Sequence, residues 1–158
     1  MSQEHGLYLE NADLLASNYM RDSVITYTVS DFRDQGPGKV QKTMQRLEDE
    51  LGINFERVDP LTGQAEINLS YVNDVIIDGQ AYAGVARVSP TMGASLIEVD
   101  QNVWHWESTM VHEIGHALGL EHDHSTTESM MSYNRDYSST WFQEQDLMAI
   151  SSLYEPFV

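Results

Sequence analysis

The side chains best suited to chemistry are concentrated in residues 112–123, HEIGHALGLEHD. On a helix, His112 and His116 lie four residues apart, so their imidazoles leave the same face and can hold one metal ion with Glu113 beside them. Gly119 ends such a helix. Glycine enters left-handed backbone angles at little cost, so the chain can turn there and return His122 as a third ligand. Three neutral imidazoles suit Zn²⁺ and leave one tetrahedral position open for water, as in catalytic rather than structural zinc sites. Glu113 is then a base with no metal bond of its own. Zinc lowers the pKa of a bound water to about 7, and a carboxylate within reach can take the proton as that water attacks a carbonyl carbon. In a chain of this composition the fixed positions of HExxHxxGxxH recur by chance in roughly one sequence in ten thousand. The competing reading, a solvated helix bearing histidines for other reasons, leaves a histidine trio around an acid without a stabilising cation.

The elements that must position these residues can be read from periodicity. Residues 24–29 (VITYTV) are β-branched and alternating, which predicts a first strand. From 38 to 51, Val40, Met44, Leu47 and Leu51 recur at steps of three and four, which predicts an amphipathic helix stopped by Gly52. Residues 53–58 (INFERV) and 66–72 (EINLSYV) alternate as half-buried strands do. Two more strands are expected at 80–88 (QAYAGVARV) and 95–100 (SLIEVD), and the 36–38 (GPG) and 89–93 segments read as loops. Helices follow at 108–120 and 141–154, the second burying Leu147, Ile150, Leu153 and Tyr154. This order predicts an α/β (α+β) domain with a twisted sheet over residues 24–158, preceded by a segment, 1–23, that is flexible or covers the cleft.

The chain has 158 residues, 25 of them acidic against 8 Lys plus Arg, for a formal charge of -17. That length suits one domain whose core buries roughly 70% of the surface of the unfolded chain. There are no cysteines, which excludes disulfide frameworks, cysteine zinc sites and thiol catalysis. Eight dispersed cations would be outweighed at a phosphate backbone or an anionic bilayer, so nucleic acid and membrane are excluded as partners. No run of 18 apolar residues and no signal peptide is visible; a processed secreted protein would look the same. Cation binding is favoured, and Asp74, Asp78, Glu98 and Asp100 are candidate Ca²⁺ ligands.

HEIGHALGLEH resembles the long zinc-binding consensus of the metzincin metalloendopeptidases. Residues 129–133 (SMMSY) are similar to the Met-turn of that family, with Met131 as the methionine beneath the metal and Met130 as the alternative register. Residues 146–154 (DLMAISSLY) look like the C-terminal helix of serralysins and matrix metalloproteinases. The resemblance covers residues 24–156 and lies closest to serralysin and matrixin catalytic domains. Asp123 after the third ligand is instead similar to adamalysins, and the calcium-binding repeat module of serralysins is absent, as is a cysteine switch.

From this resemblance follow a mostly parallel five-stranded sheet with an antiparallel edge strand, a zinc helix, a Met-turn and a C-terminal helix. The implied activity is zinc-dependent endopeptidase action on peptide or protein substrates, secreted and monomeric, with His112, His116 and His122 on Zn²⁺ and Glu113 as base. Tyr133, otherwise a half-buried aromatic, would donate its hydroxyl to the oxyanion. Tyr82, Ala83, Gly84, Val85 and Ala86 would form the edge strand that pairs with an extended substrate. A specificity pocket is expected beside the zinc helix, closed by residues 134–140 and shaped by Tyr137 and Trp141. Two alternatives stay open: a zinc-binding interaction or structural module without catalysis, and a latent zymogen blocked by residues 1–23. His5 and His105 read as ordinary surface or packing residues, His124 as a competitor for the metal, and Asp123 as either a brace of the Met-turn or an exposed acid.

Overall fold

The computed structural model describes residues 7–30, 36–61 and 65–158. The central sheet contains β2 (Ile25–Ser30), β3 (Phe55–Arg57), β4 (Ile67–Val72), β7 (Gly84–Ser89) and β8 (Ala94–Asp100), in the order β3-β2-β4-β8-β7. The β3, β2, β4 and β8 pairings are parallel, while β7 runs antiparallel to β8 at the sheet edge. Alternation in the sequence sets these faces: Ile67, Leu69 and Tyr71 of β4 are buried, and Asn68, Ser70 and Val72 are half-buried between them.

Helix α2 (Gly36–Leu51) begins two residues before the expected start at residue 38 and absorbs the expected 36–38 loop. Pro37 is compatible with a first helical turn, where its missing N–H leaves no bond unmade. Val40, Met44 and Leu47 are fully buried. Helix α3 (Trp106–Ala117) carries the HExxH residues and lies against α2, where Thr43 Oγ1 approaches Met110 Sδ at 4.0 Å.

The stretch 80–88 is two strands rather than one. Val75–Ile77 (β5) and Gln80–Tyr82 (β6) form a hairpin closed by Asp78 and Gly79, both at positive φ, and β7 starts only after Ala83. Aspartate and glycine tolerate those angles, so the turn is local in origin.

Residues 7–22, set apart in the sequence-based division at residue 24, are built into the same core. The strand β1 (Leu7–Tyr8) pairs antiparallel with β9 (Leu120–Glu121), and α1 (Ala12–Tyr19) buries Leu15, Ala16 and Tyr19 completely. A 3-10 turn, Met20–Asp22, then leads into β2. Leu9 and Glu10 reach the cleft beside α3. The rest of that segment, residues 1–6 with His5, lies outside the described residues.

Helix α4 (Glu144–Tyr154) packs on α1 and buries Ala149, Ile150, Leu153 and Tyr154, with Leu147 partly covered. The end of α3 is held by tyrosines from both of these helices. Tyr19 Oη donates to Ala117 O at 2.9 Å and Tyr154 Oη to Leu118 O at 3.0 Å, satisfying carbonyls that a helix terminus leaves open. Gly119 follows at φ 116, where a Cβ would meet Leu153 Cδ1 at 2.9 Å. Only glycine both adopts that angle and fits that gap.

Candidate active site

Beyond Gly119, β9 carries the chain back and delivers His122 opposite α3. The ligand atoms of His112, His116 and His122 all lie within 4.8 Å of one another. His112 Nδ1 is 2.8 Å from Met130 O and His116 Nδ1 is 2.7 Å from Leu120 O. An imidazole that donates from Nδ1 to a carbonyl keeps its Nε2 lone pair for a metal. His116 Nε2 faces His122 Nε2 at 3.1 Å. A tetrahedral zinc about 2.0–2.1 Å from each nitrogen sets such a pair about 3.3 Å apart, so the His116–His122 pair already has the separation the ion needs.

Electrostatics favour neutral ligands. Burial, then the neighbouring His116, hold His112 well below the ordinary imidazole value, against the opposing bond to Met130 O. His116 is lowered chiefly by burial. Burial followed by His116 and His124 bring His122 to about 4. A site whose imidazoles resist protonation is primed for a cation.

Glu113 is buried, and desolvation pushes its carboxyl up to about 8 although the Arg135 guanidinium pulls the other way. Among the described residues it makes no hydrogen bond, and it lines a cleft of about 760 Å³ together with His116, His122 and Tyr133. Tyr133 is 55% exposed and its ring lies 4.1 Å from that of His122 and 6.2 Å from that of His112. Its position is fixed from the main chain, where Tyr137 Oη donates to Tyr133 O at 2.8 Å. His124 stacks on His122 at 5.4 Å and stands outside the converging trio.

Beneath the histidines runs a turn closed by Ser132 N to Ser129 O at 3.1 Å. Met131 faces α3: a Cβ on Gly115 would come within 2.6 Å of Met131 Sδ. Met130 instead supplies the carbonyl that orients His112. The main chain of Asp123 donates to Met131 O at 3.0 Å, and its buried carboxylate takes Ser125 N and Oγ. That acid therefore ties the segment after His122 to the turn.

The upper wall of the cleft is the edge strand. Of the expected substrate-contacting residues, Gly84, Val85 and Ala86 lie in β7, Tyr82 ends β6, and Ala83 joins the two with its carbonyl accepting from Asp100 N. Tyr82, Gly84, Val85 and Ala86 line the cleft, with Val88 and Pro90 further along. A Cβ on Gly84 would meet Thr109 Cγ2 at 2.6 Å and Glu113 Cγ at 3.2 Å. Glycine there lets β7 approach α3 closely.

Residues 134–140 are not among the residues that line this cleft. Arg135 occupies the space beside α3: its Nε donates to Ser108 Oγ at 3.1 Å and its Nη1 to Ser132 O at 3.0 Å, with Nη1 3.4 Å from His112 Nδ1. Tyr137 stacks on that guanidinium, and Trp141 lies under Arg46 of α2, 4.1 Å from its ring centre. His105 sits between the rings of Trp104 and Tyr137.

The candidate calcium ligands do not converge. Among the described residues the histidine trio is the one group of three metal-ligating side chains brought together. Glu98 instead pairs with Arg87, and Asp100 accepts from Asn102 N.

Two supporting residues, Arg135 and Asp146, differ in the sequence signal they carry. Arg135 has none in its local pattern. Asp146 does: it stands three residues after the helix-capping Gln143, the spacing at which an acid reaches back to a cap. Fully buried, it accepts from Gln143 N at 2.9 Å, Met130 N at 2.8 Å and Ser129 Oγ at 2.5 Å.

A helix bearing two histidines and an acid, a glycine turn to a third histidine, and a methionine packed against that helix accompany a mixed five-stranded sheet, the fold of the metzincin-type metalloproteases. Residues 18–155 match the matrixin (peptidase M10) family, and the chain belongs to it. It is similar to astacin-like metalloprotease toxin 2 of Loxosceles intermedia, at 24% identity over 123 residues. That match takes in 78% of this chain and 44% of the toxin, so the chain spans less than half the length of this curated relative. In fold it is similar to archaemetzincin from Methanopyrus kandleri, with a TM-score of 0.56 at 14% identity over 85% of this chain and 98% of that one.

Proposed function

We propose that the protein is a zinc-dependent endopeptidase acting outside the cell on peptides or proteins. The observation that carries this reading is the convergence of three imidazoles beside a buried, unbonded Glu113 on the floor of an open cleft. A zinc ion held by His112, His116 and His122 supplies Lewis acidity, polarising a peptide carbonyl and acidifying water. Glu113 accepts the proton of the attacking water at its carboxylate. It then donates that proton to the amine nitrogen as the carbon–nitrogen bond breaks, so the peptide ends as a carboxylic acid and an amine. Tyr133, exposed beside His122, donates its hydroxyl to the carbonyl oxygen as negative charge develops there. Met131 serves as the Met-turn methionine, packing the floor of the site against Gly115.

Substrate binds as an added strand. β7 is the last strand of the sheet, and its outer backbone groups face the cleft through Gly84, Val85 and Ala86. Pairing there is antiparallel, with Tyr82 at the rim. Secretion is the reading that accords with an astacin-like toxin among the relatives; among the described residues no helix is long and apolar enough to cross a membrane.

The test is hydrolysis of a quenched-fluorescent peptide library by the zinc-loaded protein, with and without chelator. Glu113→Ala should retain zinc and lose about 10²–10⁴ in kcat/KM, the range of a general base. Tyr133→Phe should lower kcat with little change in KM. Activity that survives Glu113→Ala would overturn the mechanism, and a wild type that binds zinc but cleaves nothing would favour a binding module.

A further inference from the structure

The cleft is electrically lopsided. Among its lining residues are three carboxylates, Glu10, Glu113 and Glu121, and no lysine or arginine. Glu113 belongs to the chemistry. The other two are exposed and, among the described residues, neither Glu10 nor Glu121 has an ion-pair or hydrogen-bond partner. They reach one cleft from opposite ends of the sequence through the β1–β9 pairing. Leu7 lies opposite Glu121 in that ladder, and Leu9 N donates to Gly119 O at 2.8 Å just before Glu10. Glu121 directly precedes the metal ligand His122.

The direction of β7 says which part of a substrate meets these acids. At its start, Gly84 abuts Thr109 and Glu113 on α3. At its far end Val88 and Pro90 line the cleft together with Leu9 and Glu10, and Pro90 O accepts from Asn18 Nδ2, in the last turn of α1, at 2.7 Å. The strand thus runs from the chemistry toward the acidic end. A substrate paired antiparallel to it runs the other way, with its N-terminal residues at the acidic end and its C-terminal residues toward Gly84. The buried, unbonded Glu113 aimed into the same space marks this surface as the inside of a substrate site rather than a solvated acidic face.

We propose that Glu10 and Glu121 select a lysine or arginine on the N-terminal side of the scissile bond, within about three residues of it at ~3.3 Å per strand residue. This rests on the endopeptidase reading above and adds a substrate class to it. Neither acid is buried, so each pair with a substrate cation is weak. Replacing a substrate lysine by glutamate, however, exchanges two attractions for two repulsions. The expected discrimination is about tenfold in kcat/KM.

The experiment compares matched quenched peptides carrying Lys, Gln or Glu at each of three positions on either side of one cleavable bond, using zinc-loaded protein at low and high salt. The expected result is a Lys over Glu preference of about tenfold at one or more N-terminal-side positions only, shrinking at high salt. In Glu10→Lys/Glu121→Lys the same ratio should invert, and a ratio is insensitive to any loss of folded protein. A preference confined to the C-terminal side, or one unchanged by the double substitution, overturns the proposal. Should the wild type hydrolyse none of the peptides, the endopeptidase reading fails separately. The Lys and Glu peptides are then compared for binding to zinc-loaded Glu113→Ala by fluorescence anisotropy, where equal affinities overturn the selectivity and a charge-dependent difference that the double substitution inverts upholds it.

Discussion

Replacing Asp146 by asparagine tests whether the metal site is supported from below by α4. The buried carboxylate receives three donors, Ser129 Oγ, Met130 N and Gln143 N, and Met130 in turn supplies the carbonyl that orients His112. Hydrogen bonds to a charged acceptor contribute about 1.5–3 kcal/mol, and neutral ones about 0.5–1.5 kcal/mol. Asparagine with its oxygen toward the two backbone N–H groups keeps both bonds in neutral form and loses about 1 kcal/mol at each. Its NH₂ then faces Ser129 Oγ, which already accepts from Met131 N at 2.9 Å. That contact costs about 1 kcal/mol more. Asp146→Asn should therefore lose about 3 kcal/mol, or roughly 6–12 °C in Tm for a chain of this size. Asp146→Ala, which strands both N–H groups, should lose about 5 kcal/mol. Urea unfolding followed by tryptophan fluorescence, in chelator and in zinc, measures both, and zinc affinity should fall alongside stability. An Asp146→Asn midpoint equivalent to within about 0.5 kcal/mol of wild type would refute the reasoning.

Three further outcomes follow from the same geometry. Gly115→Ala gains about 1 kcal/mol of helix propensity but drives a methyl into Met131 Sδ, at about 1–3 kcal/mol; calorimetry should give a net loss of about 1 kcal/mol and weaker zinc binding, and a stabilised variant would contradict the packing. Burial raises the phenols of Tyr19 and Tyr154 above their ordinary value of 10.0. Their contribution is therefore complete below pH 10 and declines above it, as the unfolded chain ionises first; stability should fall by up to about 1.4 kcal/mol per pH unit for each, and Tyr154→Phe should lower the slope in urea titrations between pH 10 and 11. Zinc at a hundredfold excess over Kd should stabilise the wild type by about 2.7 kcal/mol, an increment absent in His122→Ala by thermal shift.

How legible the protein was depended on range. His112, Glu113, His116, Gly119 and His122 are spaced by helix geometry and a single glycine turn, so a short window of sequence holds the whole arrangement. Strands such as 67–72 declare themselves by alternation because one face is more buried than the other. The break at Ala83 was masked by the uniform strand character of 80–88, although the Asp78–Gly79 turn that pairs its first three residues with β5 is a local signal for it. Helix α1 went unseen because it is short and its burial comes from α4, far along the chain. Arg135 was opaque for the same reason: Ser108, to which its Nε donates, precedes it by 27 residues. The acids that line the cleft could not be brought together until β1 was found paired with β9.

The two tyrosines that hold the end of α3 have a kinetic consequence. Tyr19 lies 98 residues from the carbonyl it caps and Tyr154 lies 36 residues from its own. Closing a loop of that larger size costs on the order of 4 kcal/mol in chain entropy. The turn that delivers His122 should therefore set late in folding, after α1 and α4 have docked, and high-affinity zinc capture becomes a report that distant parts of the domain have met. On the endopeptidase reading, a chain that has not finished folding carries the histidines without the turn that brings His122 to them, and so lacks a competent site with which to attack itself or its neighbours.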